Sequence, residues 1–232
     1  MKRILYIVLT LVALASCQQH IQLGEQGSVL ELDVVRAETP VVVSRAIDAD
    51  LAITILDANG REYLHYPAGT VPNRIVLEPG TFTVCAYTEN QDTWHTANEG
   101  KGEPCCYASR QIVMEYDHFV RLSMSVPMTN YAVGLQLPEK FDELFNAHQL
   151  TLQSGSREVI ILEGENAYFS VSDGGFTHVL SAINTDGITH SYSPKSFDDV
   201  QSGKCYLLNY SYGFDNASQA VRVEVFEKTM KE

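Results

Sequence analysis

Apolar and polar residues alternate with a period of two along most of this chain, which predicts strands with one buried face. Leu30, Leu32 and Val34 alternate with Glu31, Asp33 and Val35. Residues 39–50 contain Pro40 and mixed polarity and read as a loop, after which Leu51, Ile53 and Ile55 resume the alternation. Asp57-Ala58-Asn59-Gly60 predicts a hairpin turn, with Asn-Gly supplying the positive φ and Arg61 to Tyr66 returning as the partner strand. Ile75 and Leu77 open a strand that meets Glu78-Pro79-Gly80, a type II turn signature. Phe82, Val84 and Ala86 then share one face of a strand, with Thr83, Cys85 and Tyr87 on the other. Residues 88–104 form a long polar loop, and 111–114 with 119–126 predict a second hairpin around Tyr116-Asp117-His118.

Residues 127–130 mark a tight boundary, after which Val133, Leu135 and Leu137 begin a new alternation. The segment from Pro138 to Phe145 predicts the one helix. Pro suits its first position, acids favour its first turn, and Phe141, Leu144 and Phe145 fall on one face. Strands follow at 149–153, 159–162, 167–171, 177–184, 188–192, 204–212 and 220–227, separated by Gly-containing turns. Many short strands at this spacing predict an all-β chain of two β-sandwiches.

The N-terminus breaks the pattern. Lys2 and Arg3 precede an apolar run over residues 4–15, and Leu14-Ala15-Ser16-Cys17 has the form of a lipobox. At ~1.5 Å per residue a helix of that run spans roughly 18 Å, short of the ~30 Å of a bilayer core. The run therefore reads as an export signal over residues 1–16, with Cys17 the lipidated first residue of the mature chain. Residues 17–27 read as a polar tether, 28–128 as the first sandwich and 129–232 as the second.

The chain carries 16 Lys and Arg against 29 Asp and Glu, a net charge of −13. Without Lys2 and Arg3 this becomes 14 minus 29, or −15. So acidic a chain with no basic run excludes nucleic acid as a partner and would be repelled by anionic headgroups. Membrane attachment then rests on the acyl chains of Cys17.

Export permits disulfides. Cys85 paired with Cys105 or Cys106 is one reading of the thiols, and buried free cysteines are the other. Adjacent Cys105-Cys106 lacks zinc-site spacing, so no metal is expected. No nucleophile elbow, zinc helix or phosphate loop occurs, and the acids of Asp198-Asp199 point to opposite faces of any strand. Neither catalytic residues nor a cofactor follow from the sequence.

Trp94 is the single Trp, within Asn90-Gln91-Asp92-Thr93-Trp94-His95. With Tyr87 and His95 it is the candidate ligand loop, because an aromatic ring among amides and acids suits a sugar. The competing reading folds Trp94 back as a plug on the sandwich. Arg45, in the 39–50 loop, is a candidate processing site, or else an ordinary surface charge.

Taken in order, several features resemble a family of Bacteroidetes outer-membrane lipoproteins defined as a domain of unknown function. They are the lipobox, Gly27-Ser28-Val29-Leu30-Glu31-Leu32, Ser44-Arg45-Ala46, residues 51–60, Leu77-Glu78-Pro79-Gly80-Thr81-Phe82-Thr83-Val84, residues 104–107, the opening of the second sandwich through Phe145, and Ser202-Gly203-Lys204-Cys205-Tyr206. Cys105-Cys106 and Tyr116-Asp117-His118 depart from that family's pattern. The family is distantly similar to fimbrillin-type surface proteins. The resemblance implies two tandem transthyretin-like sandwiches, with one short helix at the start of the second. It implies outer-membrane anchoring, surface-exposed or facing the periplasm, and a non-catalytic role in adhesion or as a fimbrial-type accessory. In fimbrillin-type proteins an Arg after the first strand is cut, which gives Arg45 its interest. Glycan binding through the Trp94 loop is the alternative.

Overall fold

The alternation becomes strand at nearly every place where it occurs. β1 (Ser28–Arg36), β2 (Ala52–Leu56), β3 (Glu62–Tyr66), β4 (Arg74–Leu77), β5 (Gly80–Tyr87), β6 (Tyr107–Met114) and β7 (Phe119–Val126) build the first sandwich. The computed structural model describes residues 27–37, 51–72, 74–191, 194–215 and 220–229. The first sandwich has two sheets, ordered β4-β1-β7 and β3-β2-β5-β6. β1 pairs antiparallel with β4 but parallel with β7, Val29 to Arg36 lying opposite Phe119 to Val126.

The second sandwich comprises β8 (Tyr131–Gln136), helix α1 (Phe141–Leu144), β9 (Phe145–Ser154), β10 (Arg157–Ile161), β11 (Asn166–Phe169), β12 (Phe176–Asn184), β13 (Thr189–Ser191), β14 (Lys195–Phe197), β15 (Cys205–Asp215) and β16 (Ala220–Thr229). One sheet runs β11-β8-β15-β16; the other runs β10-β9-β12, with β13 and β14 sharing the far edge of β12. β8 again pairs antiparallel with one neighbour, β11, and parallel with a late strand, β15. The wiring of the first sandwich is thus repeated, with β13 and β14 together in the place of β6 and β16 added outside.

Each sandwich has its own core. Leu30, Ile53, Ile55, Leu77, Val84 and Met114 anchor the first, and Tyr131, Leu135, Leu150, Leu152, Phe169 and Leu180 the second. Burial of each such side chain contributes roughly 1.5–3 kcal/mol relative to exposure. Tyr206, Leu208 and Tyr210 of β15 lie in the second core, where Tyr206 meets Tyr131 edge to face at 5.9 Å between centroids, while Tyr212 is exposed.

Three local expectations give way to the tertiary wiring, and a fourth, the hairpin at 57–60, forms with a change of detail. Pro79-Gly80 makes no type II turn: Gly80 is already in β5 opposite Met114, and β4 and β5 belong to different sheets. Tyr116-Asp117-His118 closes no hairpin either, since β6 pairs with β5 and β7 with β1. Both segments cross between the sheets. In the turn after β2, Gly60 alone takes a positive φ, 75°, while Asp57 Oδ1 accepts from the backbone N–H groups of Asn59 (2.8 Å) and Arg61 (2.9 Å). The helix is a single turn, because Lys140 adopts φ 63° before it and Phe145 is drawn into the β9 ladder opposite Asn184. Phe141 and Phe145 still stack, 4.4 Å apart, but Leu144 is turned to solvent.

His178 is the one histidine that is fully buried among the described residues, and its Nδ1 lies 3.0 Å from the Tyr210 hydroxyl. Burial, with repulsion from Lys195 added, depresses its pKa to about 4. The unfolded chain, with His near 6.5, therefore binds more protons between those values, and stability falls as pH drops through that window. The expected loss between pH 7 and pH 4 is about 3 kcal/mol from this group. Urea unfolding of the native protein and of His178→Gln across this range measures it. Equal pH slopes in the two proteins would remove His178 as the source.

Candidate functional site

The polar loop that carries Trp94 is held at both ends by side-chain amides. Gln91 donates to the carbonyls of Thr88 (3.0 Å) and Cys106 (2.8 Å). Asn90 donates to the Glu103 carboxylate (2.7 Å), and buried Asn130 accepts from the Cys105 N–H (3.1 Å) and donates to the Glu103 carbonyl (2.9 Å). Two short 3₁₀ turns, Trp94–Thr96 and Asn98–Gly100, fold the middle of the loop. Asn98 (φ 51°), Glu99 (φ 60°) and Gly100 (φ 84°) lie consecutively in the left-handed region. Asn98 also donates to the Gly102 carbonyl at 2.9 Å, so the tip is shaped by its own bonds.

The loop does not stand free. Arg157, the first residue of β10 in the second sandwich, reaches under it. One guanidinium nitrogen donates to the Tyr168 carbonyl (2.7 Å), and the other to the carbonyls of Gly100 (2.7 Å) and His95 (3.2 Å). The same guanidinium lies 5.3 Å from the Trp94 ring centroid and 5.1 Å from that of Phe169. Burial draws the Arg157 pKa down, and the charge of Asp173 opposes this. A planar fork between two rings and three carbonyls is an arrangement that Lys cannot reproduce. Lys101 adds an ion pair to Glu165 at 2.7 Å, and the Tyr168 N–H donates to the Lys101 carbonyl at 2.8 Å. Tyr168 itself packs against the core of the first sandwich, and burial pushes its hydroxyl up to about 12.

The segment 127–130 is fastened on both sides as well. The Tyr107 N–H donates to the Pro127 carbonyl (3.1 Å) and the Thr129 N–H to that of Cys105 (2.7 Å), while the Gly203 N–H donates to that of Asn130 (2.9 Å). The loop at 88–104 is therefore a strap between the sandwiches, with Trp94 as its buckle. The expected plug is partly right: Trp94 is half-buried, but an Arg from the other sandwich covers it.

The other proposed ligand-loop residues lie apart in role. Tyr87 is on the outer face of β5, where its hydroxyl is 2.9 Å from Thr54 Oγ1, which in turn is 3.0 Å from His65 Nδ1. His95 is exposed, edge-on to Trp94 at 5.8 Å. Sequence periodicity gave no signal for Arg157, Tyr168 or Asn130, because they act across a junction that no local pattern encodes.

The disulfide reading is corrected. Cys85, Cys105, Cys106 and Cys205 are free, buried thiols. Cys85 points away from the core and accepts from the Tyr107 hydroxyl (3.6 Å), Cys105 donates to the Gln91 amide oxygen (3.4 Å), and Cys106 faces the core. The three thiols have three different sets of neighbours. Burial pushes the Cys205 thiol up to about 12. No group of three His, Cys, Asp or Glu able to hold a metal occurs among the described residues. Cys17 and Arg45 lie outside the described residues.

The family model of a domain of unknown function, DUF4493, matches residues 25–232. No curated protein matches the chain. Among solved structures, a candidate cell adhesion protein of Bacteroides eggerthii is 8% identical, with a TM-score of 0.52 over 88% of this chain and 96% of that one. A candidate cell adhesion protein of Bacteroides fragilis is 8% identical over 90% and 99% of the two chains, with a TM-score of 0.48. The fimbrial anchor protein Mfa2 of Porphyromonas gingivalis is 9% identical over 88% and 98%, with a TM-score of 0.46. At such identities the likeness is one of fold.

The strap is testable through the single Trp. Arg157→Ala leaves three carbonyls without their charged donor and is expected to cost about 3 kcal/mol, with Arg157→Lys recovering less than half. Trp94 fluorescence should shift to the red while the far-ultraviolet signal of the strands is unchanged. An emission spectrum indifferent to Arg157→Ala would mean that the guanidinium does not hold the loop.

Proposed function

The chain belongs to the DUF4493 family, and we propose that it is a lipid-anchored protein of the cell envelope that works by binding. Its role is adhesion, or that of an accessory component in a fimbrial-type assembly, without catalysis. The observation that carries this reading is the fold: two sandwiches of the same wiring, alike over 88% of this chain to a candidate cell adhesion protein of Bacteroides eggerthii. The lipobox at Leu14-Ala15-Ser16-Cys17 supplies the anchor in this reading, with acyl chains on Cys17 holding the protein to the outer membrane, surface-exposed or facing the periplasm. No helix among the described residues is long and apolar enough to cross a membrane. The division into a signal (1–16), a tether (17–27) and sandwiches over 28–128 and 129–232 belongs to the same proposal. Two separate buried clusters, one drawn from residues 30–128 and one from 131–210, support it.

Glycan binding through the Trp94 loop loses support from the geometry. A sugar needs a free ring face, and the Arg157 guanidinium occupies one while Gly102 packs close to the ring edge. Tyr87, the second residue of that reading, is tied to Thr54. Processing at Arg45 would separate the anchor and β1 from the rest of the chain. β1 lies between β4 and β7, so its loss would open a groove with strand edges on both sides.

Mass spectrometry of the mature protein is expected to show an acylated N-terminus at Cys17, and Cys17→Ala to release the protein from membranes. Chains that begin only at Ala46 would overturn the permanent anchor and favour processing.

A further inference from the structure

Among the exposed large apolar residues of the first sandwich, Val35 (58%) lies toward the far end of β1, but the three most exposed share one end. Val76 (65% exposed), Tyr116 (64%) and Val113 (61%) all lie at the end where β1 begins, together with Phe119 (53%). Strand directions show why they share this end, Val76 and Phe119 on the outer face of the β4-β1-β7 sheet and Val113 on that of the other sheet. β1 and β7 start at this end, β4 and β6 finish there, and Val29 sits between Val76 and Phe119 in register across the sheet. The Val29 N–H donates to the His118 carbonyl (3.0 Å), which fastens the 115–118 crossover to the start of β1. The row behind this apolar rim is of another kind. Glu31 is flanked by Arg74 and Arg121, each 3.6 Å away, so charges pair off one residue pair farther from the end.

The chain emerges at the rim itself. A Cβ on Gly27 would come within 2.6 Å of Val76 Cγ1, so the residue before β1 passes directly over Val76. Counting back from Gly27, residues 18–27 are ten residues from Cys17 and reach at most ~33–36 Å. The strap and the second sandwich lie at the opposite end of these strands, where Tyr87 and Tyr107 face each other and Thr88 bonds Cys106.

We propose that this rim, Val76, Phe119 and Tyr116 with Val113 at its edge, docks on the surface of a lipid bilayer, holding the protein upright on the membrane. The proposal rests on the lipid-anchor reading, because the tether is what brings the rim to the bilayer. Aliphatic and aromatic side chains backed by paired charges suit the boundary between acyl chains and headgroups. Glu78, Glu115 and Asp117 sit at the same end, so the headgroups it accepts are zwitterionic, and anionic lipid weakens the contact.

The test uses the full lipidated protein in phosphatidylcholine vesicles, with an environment-sensitive fluorophore on Glu78→Cys beside the rim. A second label on Asp186→Cys, in the turn beyond β12 at the far end of the second sandwich, is the control. Because the four other described cysteines are buried, the introduced thiol is the one that labels. The label at 78 is expected to shift to the blue and be quenched by nitroxide lipids, and the label at 186 to report water. Val76→Ser with Phe119→Ser should lower the quenched fraction about tenfold while flotation with the vesicles stays complete. Flotation with a solvent-like label at 78 would overturn the docking and leave the anchor standing. Loss of flotation would overturn the anchor, and the docking with it. A blue shift that follows protein density on the vesicle, or that survives the serine substitutions, would assign the rim to a second copy or to the tether alone and also defeats the proposal.

Discussion

The structure depends on one pairing made twice: the first strand of each sandwich lies parallel to a late one, β1 to β7 and β8 to β15. Parallel neighbours cannot be joined by a tight turn, so the intervening chain must travel over the other sheet and come back. That requirement explains the crossing segments at 78–79 and 115–118, where local chemistry suggests turns. It also encloses the apolar faces: Leu30 on β1 faces Ile53 and Val84 of the second sheet, and all three are fully buried. Each sandwich becomes a closed body because its first strand is locked between neighbours at both edges.

Two closed bodies joined by four residues would pivot freely unless something else held them. Here the junction is filled from both sides. The loop at 88–104 descends from the first sandwich, Arg157 and Tyr168 rise from the second, and the guanidinium satisfies three loop and strand carbonyls while lying against two rings. A half-buried cation is best held by partners of this number and quality. The arrangement converts a long polar loop, which looks like a binding surface when considered alone, into a strut. The junction that results fixes the position of each sandwich on the other.

The two ends of the molecule then differ in kind. Toward the N-terminus the first sandwich presents Val76, Phe119 and Tyr116 beside the point where the chain enters; farther along the same face Ser123 contacts Asp33 and Val35 is exposed. The net charge of −13 disfavours association with anionic surfaces.

The sequence by itself determined the class of structure. Alternation at Leu30-Leu32-Val34, at Leu51-Ile53-Ile55 and at Phe82-Val84-Ala86 placed strands and their faces, because period two is a property of a few neighbouring residues and needs no knowledge of the partner. It did not reveal which strands pair, since antiparallel and parallel neighbours leave the same alternation. So the hairpin expected at 116–118 became a crossover, and the short strand at 195–197 was not anticipated. The helix shrank to one turn because the β9 ladder claimed Phe145. The fates of Cys85, Cys105, Cys106 and Trp94 were decided only by the tertiary structure. A thiol pairs, or a ring stays open to a ligand, according to what stands opposite in space, and for Trp94 that is an arginine 63 residues farther along the chain, Arg157.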